Sequence, residues 1–464
     1  MKRMIRGNMQ LQKIAKDFQG LEQMMTMIPM LKKMPIIDIS ETLSLMDNKD
    51  LLIILNEFSL EEQGDIFAEF ALIKQLTFFQ QISKKRFSRI FEEMPSDARA
   101  DLFQILTQQE QIDLLPFLSK KIREDVLALS TYPSDTAGGI MITDFATVSK
   151  EMTCFEAIQK VRFDAPSKKT IYYVYVVDES KTLLGFITLK DLIIAEPDDL
   201  VSALLHSEFV FGFVEEASEL IAAKIDKYEL VALPILNNKK QLIGIVTHDE
   251  AMDVIQAEHT EDMERFMGIM SSNEDTDYNR ASVFSHFKRR VVWLVSLALI
   301  GIFAGLIIHK YEAALLQVII LVLYMPMVAG TGGNAGSQSA TVIIRALALG
   351  QVTVKSWFKV LWKETRISLM LAFCLGVLAF VLVMFLSWSN IEILPFSIEK
   401  IGFVVAVSLS LQVISSTIIG ATLPLIVKRF GGDPAVVASP AIATIVDISG
   451  LLIYFSIASY FFKI

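Results

Sequence analysis

Long apolar stretches fill the C-terminal part of this 464-residue chain and constrain its fold more than any other feature. Up to about residue 285 the sequence is charged and mixed, whereas beyond it few charges interrupt the apolar runs. A helix needs ~20 predominantly apolar residues to cross a bilayer. The sequence therefore predicts a polytopic α-helical membrane domain with five spans, at about 291–308, 314–345, 358–387, 401–427 and 435–461.

Basic residues flank the predicted spans unevenly. Residues 288–290 are all basic and precede the first span, and further lysines and arginines surround the connection between the second and third spans. The opposite connections carry little beyond Lys310 and Lys400. By the positive-inside rule, the N-terminal domains are cytoplasmic and the C-terminus is outside. Residues 1–21 have no apolar segment typical of a signal peptide, which agrees with this orientation.

Composition excludes several functional classes. The net charge of −9 and the absence of a basic patch with interleaved aromatic residues argue against nucleic acid as a partner. Cys154 and Cys374 are far apart and form no CxxC motif, so we interpret them as small buried apolar residues. No nucleophile–base set or metal-hydrolase motif is present, and we predict that the chain is not an enzyme.

Residues 38–130 have the pattern of serial short amphipathic helices. Apolar residues recur at spacings of three and four, so that each helix has one stripe to bury. This rhythm predicts an all-α superhelical domain of stacked helix pairs.

Two later stretches share one layout, in which two apolar strands precede a helix that begins in acid. The first runs from Ile171 through "LLGFITLKDL", and the second from Leu230 through "LIGIVTHDEA". The repetition predicts an internally duplicated α/β unit. Both lines resemble the second half of CBS domains, which work as pairs, and the resemblance covers roughly residues 138–256.

The segment Pro326–Gln338, "PMVAGTGGNAGSQ", lies in the second predicted span. Its glycines allow close backbone approach, and a helix break there would expose carbonyl oxygens beside the amides of Asn334 and Gln338. Oxygen ligands of this kind suit a hard cation. A phosphate-binding loop is an alternative, although the Gly-Lys-[Ser/Thr] ending is missing. Helix packing through small residues is another, but it does not account for Asn334 and Gln338.

An acidic residue, Asp447, lies in the middle of the last predicted span. Such a residue is costly in a membrane and marks a functional site by default. The same span has no lysine or arginine before Lys463 at its end, so a bound cation is the natural partner. Magnesium keeps much of its water shell and meets few carboxylates directly, so one aspartate per subunit is adequate. A protonated or amide-paired aspartate that serves packing is the alternative.

A helix rich in acids follows the second α/β repeat. The spacings of three and four place like charges side by side, which destabilises a helix unless a cation bridges them. A solvated linker helix is the alternative, and we interpret His248 and His259 as surface residues. Asp433, before Pro434, is either an ordinary helix N-cap or a cation contact at the cytoplasmic mouth of the pore. The acids of the helix are Glu250, Asp253, Glu258, Glu261 and Asp262.

With the motifs "P-x-x-x-G-T-G-G-N-x-G-x-Q" and "D-P-A…S-P-x-I-x-T-x-x-D", the chain from about residue 38 resembles the MgtE family of magnesium transporters. The resemblance implies a homodimer in the bacterial inner membrane, with the pore between the two membrane domains. It implies that Asp447 is the central pore aspartate, with Asn334 facing it and Ala443 offering a backbone carbonyl. Gly330 and Gln338 belong to the same pore motif.

The resemblance also implies that magnesium bound between acidic cytoplasmic faces holds the pore closed. The acids of the helix that ends the second repeat match the family's connecting, or plug, helix, and Asp433 matches the acid after the fourth span. Asp97 or Asp101 supplies the N-domain side, and Glu219 and Glu229 match acidic positions of the second CBS repeat. Two departures stand out: Glu250 replaces the usual aspartate, and "VEEASEL" lacks an Asp-rich opening.

We therefore predict a magnesium-selective channel or transporter that cytoplasmic magnesium closes. Transport of another divalent ion, such as manganese or cobalt, is the nearest alternative, and a membrane-anchored regulator with a nucleotide-sensing CBS pair is a second. ATP at the CBS pair is left open. The predicted segments are an extension 1–37, the helical domain 38–132, CBS domains 133–200 and 201–253, a connecting helix and linker 254–285, and the membrane domain 286–464.

Overall fold

A computed structural model describes residues 25, 28–44, 46–165, 170–270, 282–387, 396–436 and 439–463. It divides into two compact units, Met1–Glu258 and His259–Ile464, each of which is treated by itself. Most of the predicted extension 1–37 and residues 271–281 of the predicted linker lie outside the described residues.

Short helices build the N-terminal domain. Each contacts the helix two positions further along the chain, which is the contact pattern of stacked helix pairs. The helices are α1 (Ile36–Ser44), α2 (Asn48–Leu55), α3 (Leu60–Ala68), α4 (Leu72–Gln81), α5 (Lys84–Glu93), α6 (Ser96–Ile105), α7 (Gln108–Leu114) and α8 (Lys120–Leu129).

Phenylalanines fill the core of this domain. Phe67, Phe78 and Phe87 are fully buried, and the ring of Phe67 lies 5.0 Å from that of Phe78 and 5.6 Å from that of Phe87. Offset and edge-to-face ring pairs of this kind add about 0.5–1.5 kcal/mol each beyond the area they bury. Capping boxes at Ser59 and Thr107 fix where α3 and α7 begin.

Two three-stranded sheets follow, each with one parallel and one antiparallel pairing. Helix α9 (Ala137–Ile140) precedes them, and a helix leads from the first to the second strand of each sheet and another follows the third strand. The first repeat is β1 (Phe145–Val148), α10 (Cys154–Asp164), β2 (Thr170–Val177), β3 (Leu183–Thr188) and α11 (Leu189–Ile194). The second is β4 (Gly212–Phe213), α12 (Ser218–Tyr228), β5 (Ala232–Leu236), β6 (Leu242–Thr247) and α13 (His248–Phe266).

The predicted duplication is therefore confirmed, with strands at both predicted pairs of positions. The prediction that each final helix begins in acid also holds, since Thr188 and Asp191 form a capping box at the start of α11. The short strands β1 and β4 were not predicted. The predicted boundary at 253/254 falls inside α13, which runs without a break from His248 to Phe266.

Long helices form the second unit. They are α14 (Val283–Lys310), α15 (Glu312–Gln317), α16 (Leu321–Ala348), α17 (Trp357–Ser387), α18 (Ile398–Arg429) and α19 (Ser439–Phe462). Among the described residues, four segments are long and apolar enough to cross a membrane by length and composition: Val283–Lys310, Val354–Ser387, Ile398–Arg429 and Ser439–Phe462. The second predicted span, 314–345, has no such match because glycines and amides lower the hydropathy of α16, and it stays a prediction.

The glycine-rich segment of α16 does not break the helix. The sequence interpretation expected exposed carbonyls there, whereas α16 continues through Pro326 and all of residues 330–338. Its small residues let α16 lie against the backbone of α18, and a Cβ atom added at Gly420 would overlap the Gly336 carbonyl oxygen. Close helix packing thus keeps the backbone hydrogen-bonded within the helix.

Candidate cation-binding sites

Asp447 lies where helices α16 and α19 come together. Its side chain is half-buried. A Cβ atom added at Gly333 of α16 would lie 3.6 Å from Oδ1 of Asp447 and 3.7 Å from Cβ of Ala443. The structure therefore brings Asp447, Ala443 and Gly333 together, and the glycine leaves the carboxylate room beside the neighbouring helix. A carboxylate with backbone close by is a suitable ligand for a hydrated divalent cation.

The two amides of the glycine motif lie on one exposed face of α16. Asn334 directly follows Gly333, and Gln338 is four residues further on, so both side chains point the same way. Gly330 is exposed on the same helix, with open space where a side chain would be. A hydrogen bond of 3.0 Å between the hydroxyl groups of Ser337 and Ser439 joins α16 to the start of α19 at this end.

Two buried polar side chains of the second unit were missed at the sequence level. Gln412 of α18 is fully buried, and Glu364 of α17 is 7% exposed and accepts a 2.8 Å hydrogen bond from Ser339. Both are polar residues inside long apolar helices, the same signal that marked Asp447. An amide is a weaker anomaly in a membrane helix than a carboxylate is, and Glu364 lies in a charged run between Lys363 and Arg366, so neither residue stands out in the sequence.

Arginines neutralise part of the acidic end of α13. Arg265 forms ion pairs with Glu261, one turn before it, and with Asp433, whose Oδ2 accepts a 2.9 Å bond from Nη1. Arg289 of α14 pairs with Glu264. Asp433 also accepts a 2.8 Å bond from the backbone N–H of Ala435, which is the capping role that the sequence offered as an alternative. The spacing of four between Glu261 and Arg265 could have revealed their pair, but not the long-range pair with Asp433.

The remaining acids of α13 line one helix without forming a cluster. Glu250 and Glu258 are half-buried, and Asp253 and Asp262 are exposed. Across the part of the chain that the structure describes, no group of three or more histidine, cysteine, aspartate or glutamate side chains could hold a metal ion together.

Asp97 and Asp101 lie one turn apart on α6. Burial, and then the charge of Asp97, raise the pKa of Asp101 to about 6. Two adjacent carboxylates that resist joint ionisation favour a bound cation, because a cation removes their repulsion. The structure brings these two predicted residues together.

Glu219 and Glu229 lie at opposite ends of α12. Glu219 is in the first turn, and Glu229 caps the C-terminus in a left-handed conformation with a φ of 51°. Ten residues of helix separate them by about 15 Å. One chain therefore cannot bring both to the same cation.

An aromatic cavity of about 430 Å³ lies in the CBS pair. Tyr173 and Phe186 of the first repeat and Phe209 and Tyr228 of the second line it, together with Glu208. Tyr175 also lines the cavity, and its hydroxyl is buried with no hydrogen-bond partner among the described residues. The cavity offers aromatic faces and a buried hydroxyl, but no basic side chain is among its lining residues.

Comparison with known proteins adds three family matches. The model of MgtE, a divalent cation transporter, matches residues 325–457, that of the MgtE intracellular N domain matches 34–135, and that of the CBS domain matches 137–198. The chain is 38% identical to the magnesium transporter MgtE of Thermus thermophilus over 73% of this chain and 72% of that protein. It is 35% identical to the magnesium transporter MgtE of Bacillus subtilis over 72% of each. A crystal structure of the soluble part of a magnesium transporter covers 55% of this chain and 99% of its own, at 28% identity and a TM-score of 0.49.

Proposed function

Because this chain belongs to the MgtE family of divalent cation transporters, we propose that it carries magnesium ions across the bacterial inner membrane. The observation that carries the proposal is the half-buried Asp447 of α19, which faces Gly333 inside a bundle of apolar helices. Without a bound cation or a proton, a carboxylate at that depth is costly. A hydrated magnesium ion removes this cost and needs few direct protein ligands.

The pore proposal assigns complementary roles to the residues around Asp447. Its carboxylate attracts the cation, and the amide oxygens of Asn334 and Gln338 contact the water shell. The open space at Gly330 leaves room for that shell, and the carbonyl of Ala443 adds a neutral oxygen. Oxygen ligands alone favour hard ions such as magnesium and manganese over softer ions, so the ligand set does not by itself separate these two. Competition among these ions in an uptake assay tests the preference.

We propose further that the transporter is a homodimer with the pore between its copies. In a single chain, the side chains of Asn334 and Gln338 are exposed on α16. Amides that face hydrocarbon lose their hydrogen bonds with water, which makes this arrangement costly. A second copy that encloses a water-filled path against this face removes the cost. The same arrangement makes α16 a fifth span, with the N-terminal domains cytoplasmic and the C-terminus outside.

The cytoplasmic acids form the proposed sensor. Its proposed ligands are the acids of α13 together with Asp97 and Asp101 of α6, Glu219 and Glu229 of α12, and Asp433. A hydrated magnesium ion needs only one or two carboxylates at each of these places. Magnesium that bridges them across two surfaces stabilises only the compact arrangement, so high internal magnesium shifts the population toward a closed pore. Repulsion between the same acids opens it when magnesium is scarce.

ATP is the proposed ligand of the CBS pair. The aromatic faces of the cavity fit an adenine ring, and the buried hydroxyl of Tyr175 offers a hydrogen bond to it. The lining provides no cation for the phosphates, so the base and ribose would carry recognition. Replacing Tyr173 by alanine should weaken ATP binding in equilibrium titration, whereas an unchanged affinity would remove this cavity as the site.

The decisive experiment measures magnesium uptake into proteoliposomes by the full chain. Asp447→Ala and Asp447→Asn should both reduce uptake to the background of empty vesicles. Glu399→Gln is the matched control, since it removes an exposed acid from the first turn of α18 and should leave uptake unchanged. Uptake at the rate of the unaltered protein in Asp447→Ala would overturn the pore proposal.

The sensor is tested separately by limited proteolysis. Magnesium should slow cleavage of the full chain within residues 250–262, and Asp253→Asn combined with Glu258→Gln should weaken this protection. Equal cleavage with and without magnesium would count against the sensor and leave the pore proposal untouched.

A further inference from the structure

The side chain of Gln412 connects helix α18 to the helix that carries Asp447. It is fully buried, and its Nε2 donates a 2.8 Å hydrogen bond to the carbonyl oxygen of Val446. Val446 immediately precedes Asp447 in α19. Side chains around a helix normally shield its backbone carbonyls from other helices. The bond from Gln412 therefore needs a place on α19 where no side chain covers the Val446 carbonyl.

Two glycines create the space for this amide. A Cβ atom added at Gly450, one turn after Val446, would lie 2.6 Å from Nε2 of Gln412, and one added at Gly332 of α16 would lie 2.7 Å from its Cγ. Any larger residue at either position would collide with the amide. Gly333, which follows Gly332, is the residue that Asp447 faces. Three helices therefore meet at one level, with Gln412 between them.

Packing alone does not explain an amide at this position. The Oε1 atom of Gln412 is buried and has no hydrogen-bond partner within the described ranges of the chain. A leucine or methionine would fill similar space without burying this oxygen, so the amide costs stability. What the amide adds over an apolar side chain is the hydrogen bond to Val446.

We propose that Gln412 is a positioning residue for cation transport, which rests on the proposed pore role of Asp447. Consecutive side chains on an α-helix point about 100° apart, so a bond that fixes the Val446 carbonyl also fixes the rotation of α19. That rotation determines whether the carboxylate of Asp447 faces α16 and the ion path. Gln412 thereby controls both the rate of uptake and the preference among divalent ions without contacting the ion.

The test compares Gln412→Met with Ser410→Ala in the full-length transporter. Methionine keeps the length of the side chain and removes the donor. Ser410 is the matched control because its hydroxyl donates a 2.9 Å bond to the carbonyl of Ala372 on α17, beside Gly376 and away from α19. Gln412→Met should lower magnesium uptake about tenfold, the change that ~1.4 kcal/mol produces, and alter the ratio of magnesium to manganese uptake. Ser410→Ala should leave both within about twofold.

A second variant covers the case in which Gln412→Met does not fold. Gly450→Ala keeps the amide but pushes it away from Val446, and it should reproduce the same loss and the same change in ion ratio. Unchanged uptake and ion ratio in a folded form of either variant would overturn the proposal, as would losses equal to those of Ser410→Ala. Asp447→Ala is measured alongside. If it transports normally, the pore proposal fails. If it is inactive while Gln412→Met transports normally, only the proposed role of Gln412 fails and the pore proposal stands.

Discussion

The two units of this transporter place their acidic side chains in opposite ways. In the second unit, Asp447 and Glu364 each lie beside small or polar residues of neighbouring helices of the same chain. In the first unit, Glu219 and Glu229 lie at opposite ends of α12, and the acids of α13 are spread along a helix that continues into the second unit.

This difference follows from what each half must do. An ion path requires ligands that stay fixed while ions pass, so helix packing holds them in place. A sensor must differ between its bound and free states, so its ligands belong to surfaces that the ion itself brings together. A single conformation therefore shows the surroundings of Asp447 and leaves the ligands of the proposed sensor dispersed.

The largest expected effect tests whether close packing holds the pore half together. Gly420→Ala inserts a methyl group against the Gly336 carbonyl and should separate α18 from α16. We expect destabilisation at the upper end of the roughly 1–3 kcal/mol that overpacking costs, seen as a lower melting temperature in detergent. Gly301→Ala is the control, because nothing lies within 4 Å of the added carbon. Equal melting temperatures for the two variants would show that close packing of α16 against α18 does not hold this unit together.

The second prediction concerns the paired carboxylates of α6. Because burial and Asp97 raise the pKa of Asp101 to about 6, the native carboxyl holds a proton between about pH 4 and pH 6 that the unfolded chain has released. Stability from this group is therefore greatest below pH 3.8 and falls as the pH rises through 6. At pH 7.5, Asp101→Asn should stabilise α6 by at most about 3 kcal/mol, with no difference near pH 3.5.

Hydrogen exchange of the α6 amides in the full chain measures this local stability. Glu57→Gln, which removes an exposed carboxylate of the same domain, should show no such pH dependence. Added magnesium should stabilise α6 of the unaltered protein at pH 7.5 and so reduce the difference in local stability between it and Asp101→Asn. If magnesium leaves this difference unchanged, α6 is not part of the sensor.

The sequence predicted features that depend on local pattern. The apolar runs that begin at Ile171 and Leu230 predicted β2, β3, β5 and β6, because such runs between turn residues are typical of strands. Strands β1 and β4, of 4 and 2 residues, were missed because they exist only through pairing with distant strands. Asp447 was found because a carboxylate in an apolar span is anomalous without any knowledge of its neighbours.

The sequence does not show which faces of the long helices contact one another, so features that depend on these contacts could not be predicted from it. Gln412 lies in a 32-residue apolar helix, and nothing in that pattern says that it meets Gly332 and Gly450. The glycine motif was expected to break α16, whereas its glycines serve a close helix contact. Glycine allows both outcomes, and only the partner helix decides between them.

The smallest expected effect concerns Arg265, whose ion pairs join α13 to Asp433. Its ion pairs with Glu261 and Asp433 are about one-third exposed, so each contributes only ~0.2–1 kcal/mol. Arg265→Gln removes the positive charge that neutralises both carboxylates, so magnesium should bind to them more tightly. The internal magnesium concentration for half-maximal inhibition should fall, by at most about fivefold.

Lys288→Gln removes the same charge from an exposed position on α14 and separates a local effect from one of net charge. If both variants shift the inhibition curve equally, the acids respond to the overall field and Arg265 has no special role. A shift confined to Arg265→Gln, and abolished when Asp433 is also replaced by asparagine, would show that this aspartate is shared between an arginine and a magnesium ion. The ion would then compete with a side chain for its ligand, which lowers its affinity and sets the sensor to respond at a higher magnesium concentration.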